Sequence, residues 1–305
     1  MSTNPAFELT DAELELLPSA EDIAFYAENG WYLSQKLLTD DEIATLEEAS
    51  EKFYAGVKDR EIPARPPRLS YWTPEQGARL RQNDYVHYEV DAIGAILRKP
   101  LLGAVAAMIA RAQTMRLWQA TLIYKPPVGS EPSNIVPWHY DKDYWATSTS
   151  EKMLTAFIPF HDCDERIGTV CMIDGSHRWE EVDTSNMTAR HFADRERDDL
   201  ETIVRENARH NGTEFRTTVV EIPKGHMSFH HCRTYHASGH NLTDRPRRAI
   251  SLHLQDGGNE YREFLLPDGT PAAYNHDWLV RRTADGRPDY ADPEFCPTLW
   301  SGTIR

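Results

Sequence analysis

Cysteine is scarce in this chain. Four occur in 305 residues, at Cys163, Cys171, Cys232 and Cys296, and no two form a CxxC pair. That spacing gives neither a structural zinc site nor a dense disulfide framework, so the four read as reduced core thiols. Basic residues are outnumbered: 33 Lys and Arg stand against 48 Asp and Glu, a formal net charge of −15. Such a surface repels phosphate backbones and anionic lipid, which argues against nucleic acid and membrane as partners and leaves a small-molecule substrate. The same field would favour a cationic substrate, although solubility alone accounts for it. No apolar run reaches the roughly 18 residues a membrane-crossing helix needs. The opening MSTNPAFELTDAELELLPSAED is acidic and carries neither a basic leader nor an apolar segment, so a cytoplasmic location is expected. Internal repeats and low-complexity tracts are missing too, and nothing in the pattern sets an oligomeric state.

What is present is a helical opening followed by strands. Residues 20–30 read as a short helix closed by Gly30, and GWYLSQKLL follows as a strand. Thr39 caps a second helix, in which Ile43, Leu46 and Phe53 share one face. Residues 58–80, rich in Pro, Arg and aromatics, read as a loop, and 91–113 as helix broken at Pro100. From about 116 the runs LWQATLIYKPP, MLTAFIPFHDC, IGTVCMIDGSH, TTVVEIPKG, HMSFHHCR and RRAISLHLQD are short and strand-like, with turn residues between them. Many short, punctuated strands predict a sandwich or barrel. Residues 178–212 form a charged, partly helical insertion of the kind that serves as a lid or binding loop. The expected organisation is one domain over 1–305: helical support to about 114, a β core over about 115–260, and a C-terminal wrap over 261–305.

The sharpest chemical signal is Trp138-His139-Tyr140-Asp141. Strand residues two apart share a face, so His139 and Asp141 can enter one cavity, or do so at a strand end. An imidazole and a carboxylate make half of a facial metal site. A second histidine would complete a two-histidine, one-carboxylate set with three open positions, as an iron(II) oxygenase requires. Six histidines lie between 226 and 253. His236, His230 and His231 are the candidates for the third ligand, and of the adjacent His230 and His231 at most one can point inward. Eleven residues after His236 stands Arg247, whose planar fork suits the distal carboxylate of a metal-chelating keto acid. Arg245 and Arg248 are its rivals.

In that order, WHYDKDYW, IGTVCMIDGSH and YHASGHNLTDRPRRAISLH resemble the motifs of the phytanoyl-CoA dioxygenase family. LWQATLIYKPP and the opening YAENGWYLSQKLLTDDEI resemble it as well, and the likeness covers roughly residues 20–260. The resemblance implies a mainly β fold: a double-stranded β-helix (jelly-roll) core with N-terminal and flanking helices. It implies His139, Asp141 and His236 as ligands of Fe(2+), with 2-oxoglutarate and O2 as co-substrates. Arg247 and Ser238 match the residues that hold the keto acid, Gln119 and Lys125 stand where further contacts occur, and Phe157 lies where relatives place an aromatic wall. Tyr140, Asp143, Trp145 and His240 are candidate substrate contacts; Asp143 could grip a cation, and His240 could equally cap its turn. Halogenases of this superfamily replace the carboxylate ligand with a small residue, so Asp141 favours oxygen insertion over halogenation. The expected activity is oxidation, chiefly hydroxylation, of a small organic molecule, as in natural-product tailoring. The alternatives are a cupin-like metal-dependent isomerase or hydrolase, which has no use for Arg247 with Ser238, and a non-catalytic binding module.

Overall fold

The computed structural model describes residues 7–127, 135–180, 197–266 and 268–302. Its helices are α1 (Asp11–Leu14), α2 (Ala20–Asn29), α3 (Asp40–Tyr54), α4 (Val86–Glu89), α5 (Asp91–Leu97), α6 (Pro100–Ile109), α7 (Arg197–His210) and α8 (His276–Leu279). Its strands are β1 (Trp31–Leu33), β2 (Arg81–Asp84), β3 (Thr114–Lys125), β4 (Val136–His139), β5 (Leu154–Pro159), β6 (Val170–Ile173), β7 (Thr217–Val219), β8 (Ser228–His231), β9 (His236–Ser238), β10 (Arg247–Asp256) and β11 (Thr298–Ser301).

Local chemistry sets the helix ends. Thr39 and Glu42 cap each other at the start of α3, each side chain accepting from the other's backbone N–H. Ser19 and Asp22 do the same for α2, which ends on Gly30 in the left-handed region at φ 78°. A Cβ at Gly30 would lie 2.4 Å from both His177 Nδ1 and Thr234 Oγ1, so the position excludes larger residues on two counts. Pro100 occupies the first turn of α6, where its missing N–H costs nothing, and the chain bends there rather than continuing α5. Among the described residues no single helix is long and apolar enough to cross a membrane.

Two antiparallel sheets form the core, in agreement with the jelly-roll expectation. The larger runs β1-β8-β5-β10-β3, and the far edge of β3 is shared by β11 at one end and β2 at the other. The smaller runs β4-β9-β6-β7. The strand alternation of β10 explains the layering. Ile250, Leu252 and Leu254 face out and join Ala120, Leu122 and Phe229 in the main apolar cluster with α3, α5 and α6. Burying each such side chain stabilises the fold by roughly 1.5–3 kcal/mol. Arg247, Ser251 and His253 face in, toward a cavity between the sheets.

Two differences from expectation bear on the site. The N-terminal support supplies two strands, β1 and β2, to the larger sheet, and the C-terminal segment returns to it as β11. Of the expected insertion, residues 181–196 lie outside the described residues. Its helix α7 packs Val204 and Ala208 against Trp138 and Tyr235, on the face of the smaller sheet opposite His139 and His236.

Candidate active site

Strand register assembles the inner face of the larger sheet into polar rows. One row runs Gln119, His253, Thr155, His230 across β3, β10, β5 and β8. The next runs Asp84, Thr121, Ser251, Phe157 across β2, β3, β10 and β5. Lys125 and Arg247 pair at the end of β3 and β10. The two rows and Arg247, with residues of the smaller sheet, enclose a cavity of about 330 Å³.

His139 ends β4, His236 opens β9, and the two are register partners across these strands. Asp141 opens a short 3-10 helix over Asp141–Trp145. Their ligand atoms all lie within 4.8 Å of one another. Asp141 Oδ1 is 3.8 Å from His139 Nε2 and 3.7 Å from His236 Nε2. Both imidazoles have Nδ1 against a carbonyl oxygen, His139 to Pro137 at 2.9 Å and His236 to Thr234 at 3.0 Å. A carbonyl only accepts, so each Nδ1 carries the proton and each Nε2 presents a lone pair to the common centre. Burial lowers both histidines from their ordinary value, which keeps them neutral; for His236 the neighbouring His139 and His230 add to this. Burial alone would raise Asp141, but His236, His230 and His253 outweigh it and hold the carboxyl well below the usual range. Two neutral imidazoles and one ionised carboxylate fit a divalent cation.

The second oxygen of Asp141 is held from behind. Thr155 Oγ1 donates to Oδ2 at 2.5 Å, and His253 Nδ1 lies 2.7 Å from the same hydroxyl. Since that hydroxyl gives its proton to the carboxylate, His253 Nδ1–H must donate to it. His230, the rival for third ligand, sits with Nε2 3.4 Å from Oδ2, its ring 4.2 Å from that of His236. His231 points the other way, toward His177 and Tyr26.

Arg247 and Lys125 are both buried, at 1% and 0% exposure. Arg247 donates to the Gly168 carbonyl and lies over the Phe157 ring at 5.0 Å. Lys125 donates to Ser238 Oγ at 2.8 Å and to the Gly239 carbonyl. Burial, and then Arg247, depresses Lys125 well below its ordinary value. Among the described residues no carboxylate pairs with either cation. Two buried positive groups without a counter-ion are costly unless an anion joins them. Of the rivals, Arg248 faces out to Glu47 and Glu51.

The remaining candidates are dispersed. Gln119 and Trp145 line the cavity; Gln119 accepts from Tyr274 and donates to Thr121 Oγ1 at 3.1 Å. Tyr140 packs edge-on to Tyr235, 5.1 Å away, in the cluster under α7. Asp143 lines a separate small hollow beside Thr147 and Leu266. His240 lies exposed in the turn between β9 and β10. Cavity residues that motif reading missed include Asp84, Thr155, His253, Tyr274 and Asn275. The signal available for Thr155 and His253 was their place on the polar side of alternating strands.

Comparison with known proteins agrees with this geometry. The sequence profile of the phytanoyl-CoA dioxygenase family (PhyH) matches residues 26–249. The chain is 23% identical over 233 residues to a "Probable alpha-ketoglutarate-dependent hypophosphite dioxygenase" of Stutzerimonas stutzeri, covering 76% of this chain and 77% of that protein. In fold it is similar to the non-heme alpha ketoglutarate dependent carbocyclase SnoK from nogalamycin biosynthesis (TM-score 0.67, 20% identity, 92% of this chain and 96% of that one). It is also similar to the epimerase SnoN in complex with Fe3+, alpha ketoglutarate and nogalamycin RO (TM-score 0.64, 22% identity, 95% and 100%). A third likeness is to EctD from S. alaskensis with 2-oxoglutarate and 5-hydroxyectoine (TM-score 0.64, 20% identity, 94% and 90%).

Proposed function

The chain belongs to the phytanoyl-CoA dioxygenase family, and from that premise we propose that it is an iron(II)- and 2-oxoglutarate-dependent dioxygenase that hydroxylates a C–H bond of a small organic molecule, as in natural-product tailoring. The observation that carries the reading is the pairing, in one cavity, of the His139–Asp141–His236 triangle with the uncompensated cation Arg247, beside Ser238, whose hydroxyl accepts from the buried Lys125.

Iron(II) bound there would couple the oxidative decarboxylation of 2-oxoglutarate by O2, giving succinate and CO2, to insertion of oxygen into the substrate. The chain's own residues perform the positioning. His139 and His236 present Nε2 lone pairs, and Asp141 presents Oδ1. Thr155 holds Oδ2 back. Arg247 and Lys125, with the Ser238 hydroxyl, would receive the distal carboxylate of the keto acid, and Phe157 and Val170 shield that end of the cavity from water. A metal-dependent isomerase or hydrolase has no need of two buried cations beside its metal, which favours the oxygenase reading over those alternatives.

Anaerobic titration of metal-free protein with iron(II) and 2-oxoglutarate tests this. A weak visible charge-transfer band requiring both, and lost in His236→Ala and Asp141→Ala, is the expected result. A folded, iron-loaded protein that gives no band overturns the reading.

A further inference from the structure

The metal triangle and the keto-acid end leave one side of the cavity unexplained. β2 lies three strands from β5, where Thr155 holds Asp141; at about 4.8 Å per strand the backbones are separated by roughly 14 Å, which spans a small organic molecule. On β2 stands Asp84, 6% exposed and facing the cavity. Its carboxylate accepts from Thr121 Oγ1 at 2.8 Å, from the Ser70 backbone N–H at 3.0 Å and from Asn275 Nδ2 at 3.4 Å.

These contacts form a directed chain. Tyr274 donates to Gln119, Gln119 to Thr121, and Thr121 to Asp84. Asp84 is its terminal acceptor. Gln119 adds to these contacts, so every group around the Asp84 carboxylate is a neutral donor and its charge is unanswered. Among the described residues no cation forms an ion pair with Asp84, although Arg68 lines the same mouth. Next to Asp84, Asn275 is 4% exposed, lines the same cavity, and has an Oδ1 with no hydrogen-bond partner. A buried carboxylate without a cation and a buried amide oxygen without a donor thus converge on one side of the cavity. Tyr144, Trp145 and Tyr274 supply aromatic walls, whose faces attract cations.

We propose that Asp84 and Asn275 form the recognition site for a protonated amine of the substrate, so that the cavity selects a small amine-bearing molecule and holds it by that nitrogen while another part of it reaches the metal. The amine N–H groups would donate to the Asp84 carboxylate and to Asn275 Oδ1, supplying a countercharge to the first and a donor to the second. The proposal deepens the oxygenase reading and rests on it for the position of the reacting carbon, but the amine site itself requires neither iron nor keto acid.

The test uses the full chain, with and without manganese(II) and 2-oxoglutarate. Primary amines from propylamine to benzylamine are compared with the alcohol and the carboxylate of each skeleton, by thermal shift and tryptophan fluorescence. Wild-type protein is expected to bind amines in preference to both counterparts. Asp84→Asn should weaken amine binding by about tenfold or more and abolish the preference, because a charge-assisted contact is lost. Asn275→Ala, a second and milder variant, should reduce it in the same direction. The manganese-dependent response to 2-oxoglutarate should persist in both. Equal binding of alcohols or carboxylates, no binding of any amine, or a preference retained in the variants would each overturn the proposal. Failure to respond to manganese and 2-oxoglutarate, with amine preference intact, would instead count against the oxygenase reading.

Discussion

The hydroxyl of Thr155 donates to Asp141 Oδ2 at 2.5 Å while His253 supports the same hydroxyl from the far side at 2.7 Å. The carboxylate is therefore turned before any cation arrives, with Oδ1 toward the two histidines. Thr155→Val keeps the volume and removes the link. It is expected to weaken metal binding by about 10- to 100-fold, the usual cost of losing a group that orients a ligand. Competition titration with iron(II) or manganese(II) measures this, and unchanged affinity would show that Asp141 holds its orientation without Thr155.

At Lys125, stability and binding should move in opposite directions. Lys125→Met removes a buried charge that lacks a counter-ion, so the ligand-free protein should melt higher. The same change should raise the Kd for 2-oxoglutarate by at least about tenfold, as should Arg247→Ala. Melting curves with and without 2-oxoglutarate separate the two effects. A Lys125→Met protein that is less stable and binds the keto acid normally would contradict this account.

Gly168 is a backbone determinant of the same end. Its φ is 76°, and a Cβ there would lie 2.8 Å from the Gly239 carbonyl oxygen and 2.9 Å from that of His240. Its own carbonyl accepts from Arg247. Gly168→Ala should cost about 1–3 kcal/mol and displace Arg247, so urea unfolding and 2-oxoglutarate affinity should weaken together. Loss of stability with normal affinity would separate the turn from the anion site.

Acid should destabilise the metal-free protein in a defined window. Burial pushes His87, His231 and His276 down to about 3 and His253 to about 4. Below about 6.5 the unfolded chain takes up protons that the folded chain refuses, so stability falls as pH drops from 6.5 toward these values, by about 1.4 kcal/mol per pH unit per group. Asp84, raised to about 6 by burial, acts in the opposite sense between 6 and its unfolded value near 4, and Glu89 and Asp277, also raised by burial, act with it, but the four histidines outnumber these carboxyls. Urea midpoints from pH 7 to 5 should fall, and His87→Phe should make the slope shallower by about one proton. An unaltered slope would mean that His87 does not enter the folded state neutral.

Residues near one another in sequence made the candidate metal ligands legible. His139 and Asp141 sit two apart, and His236 and Arg247 share one strand–turn–strand unit. The apolar halves of β3, β5 and β10 likewise announced a β core. The polar halves were ambiguous, because an inward cavity face and a solvated face give the same alternation; Thr155, Ser251 and His253 could not be assigned to either. Asp84 was hidden for a different reason. It follows a stretch that reads as loop, and only its pairing with Thr121, 37 positions away, turns it toward the cavity. Tyr274 and Asn275 come from the C-terminal segment, whose weak periodicity gives no face at all.

The divided edge of β3 carries a consequence for synthesis on the ribosome. One end of that edge waits only for β2, which is already made, but the other is closed by Thr298–Ser301. Until Thr298–Ser301 emerge, Thr114–Arg116 present open backbone groups to any neighbouring strand, and the sheet that carries the polar rows lacks one seam. Pairing across about 180 positions is slow to find by diffusion of the chain. A molecule in which β11 has not yet been made, or has been clipped away, is thus expected to expose this edge of β3, so that β11 bears on yield through pairing rather than on the chemistry of the cavity.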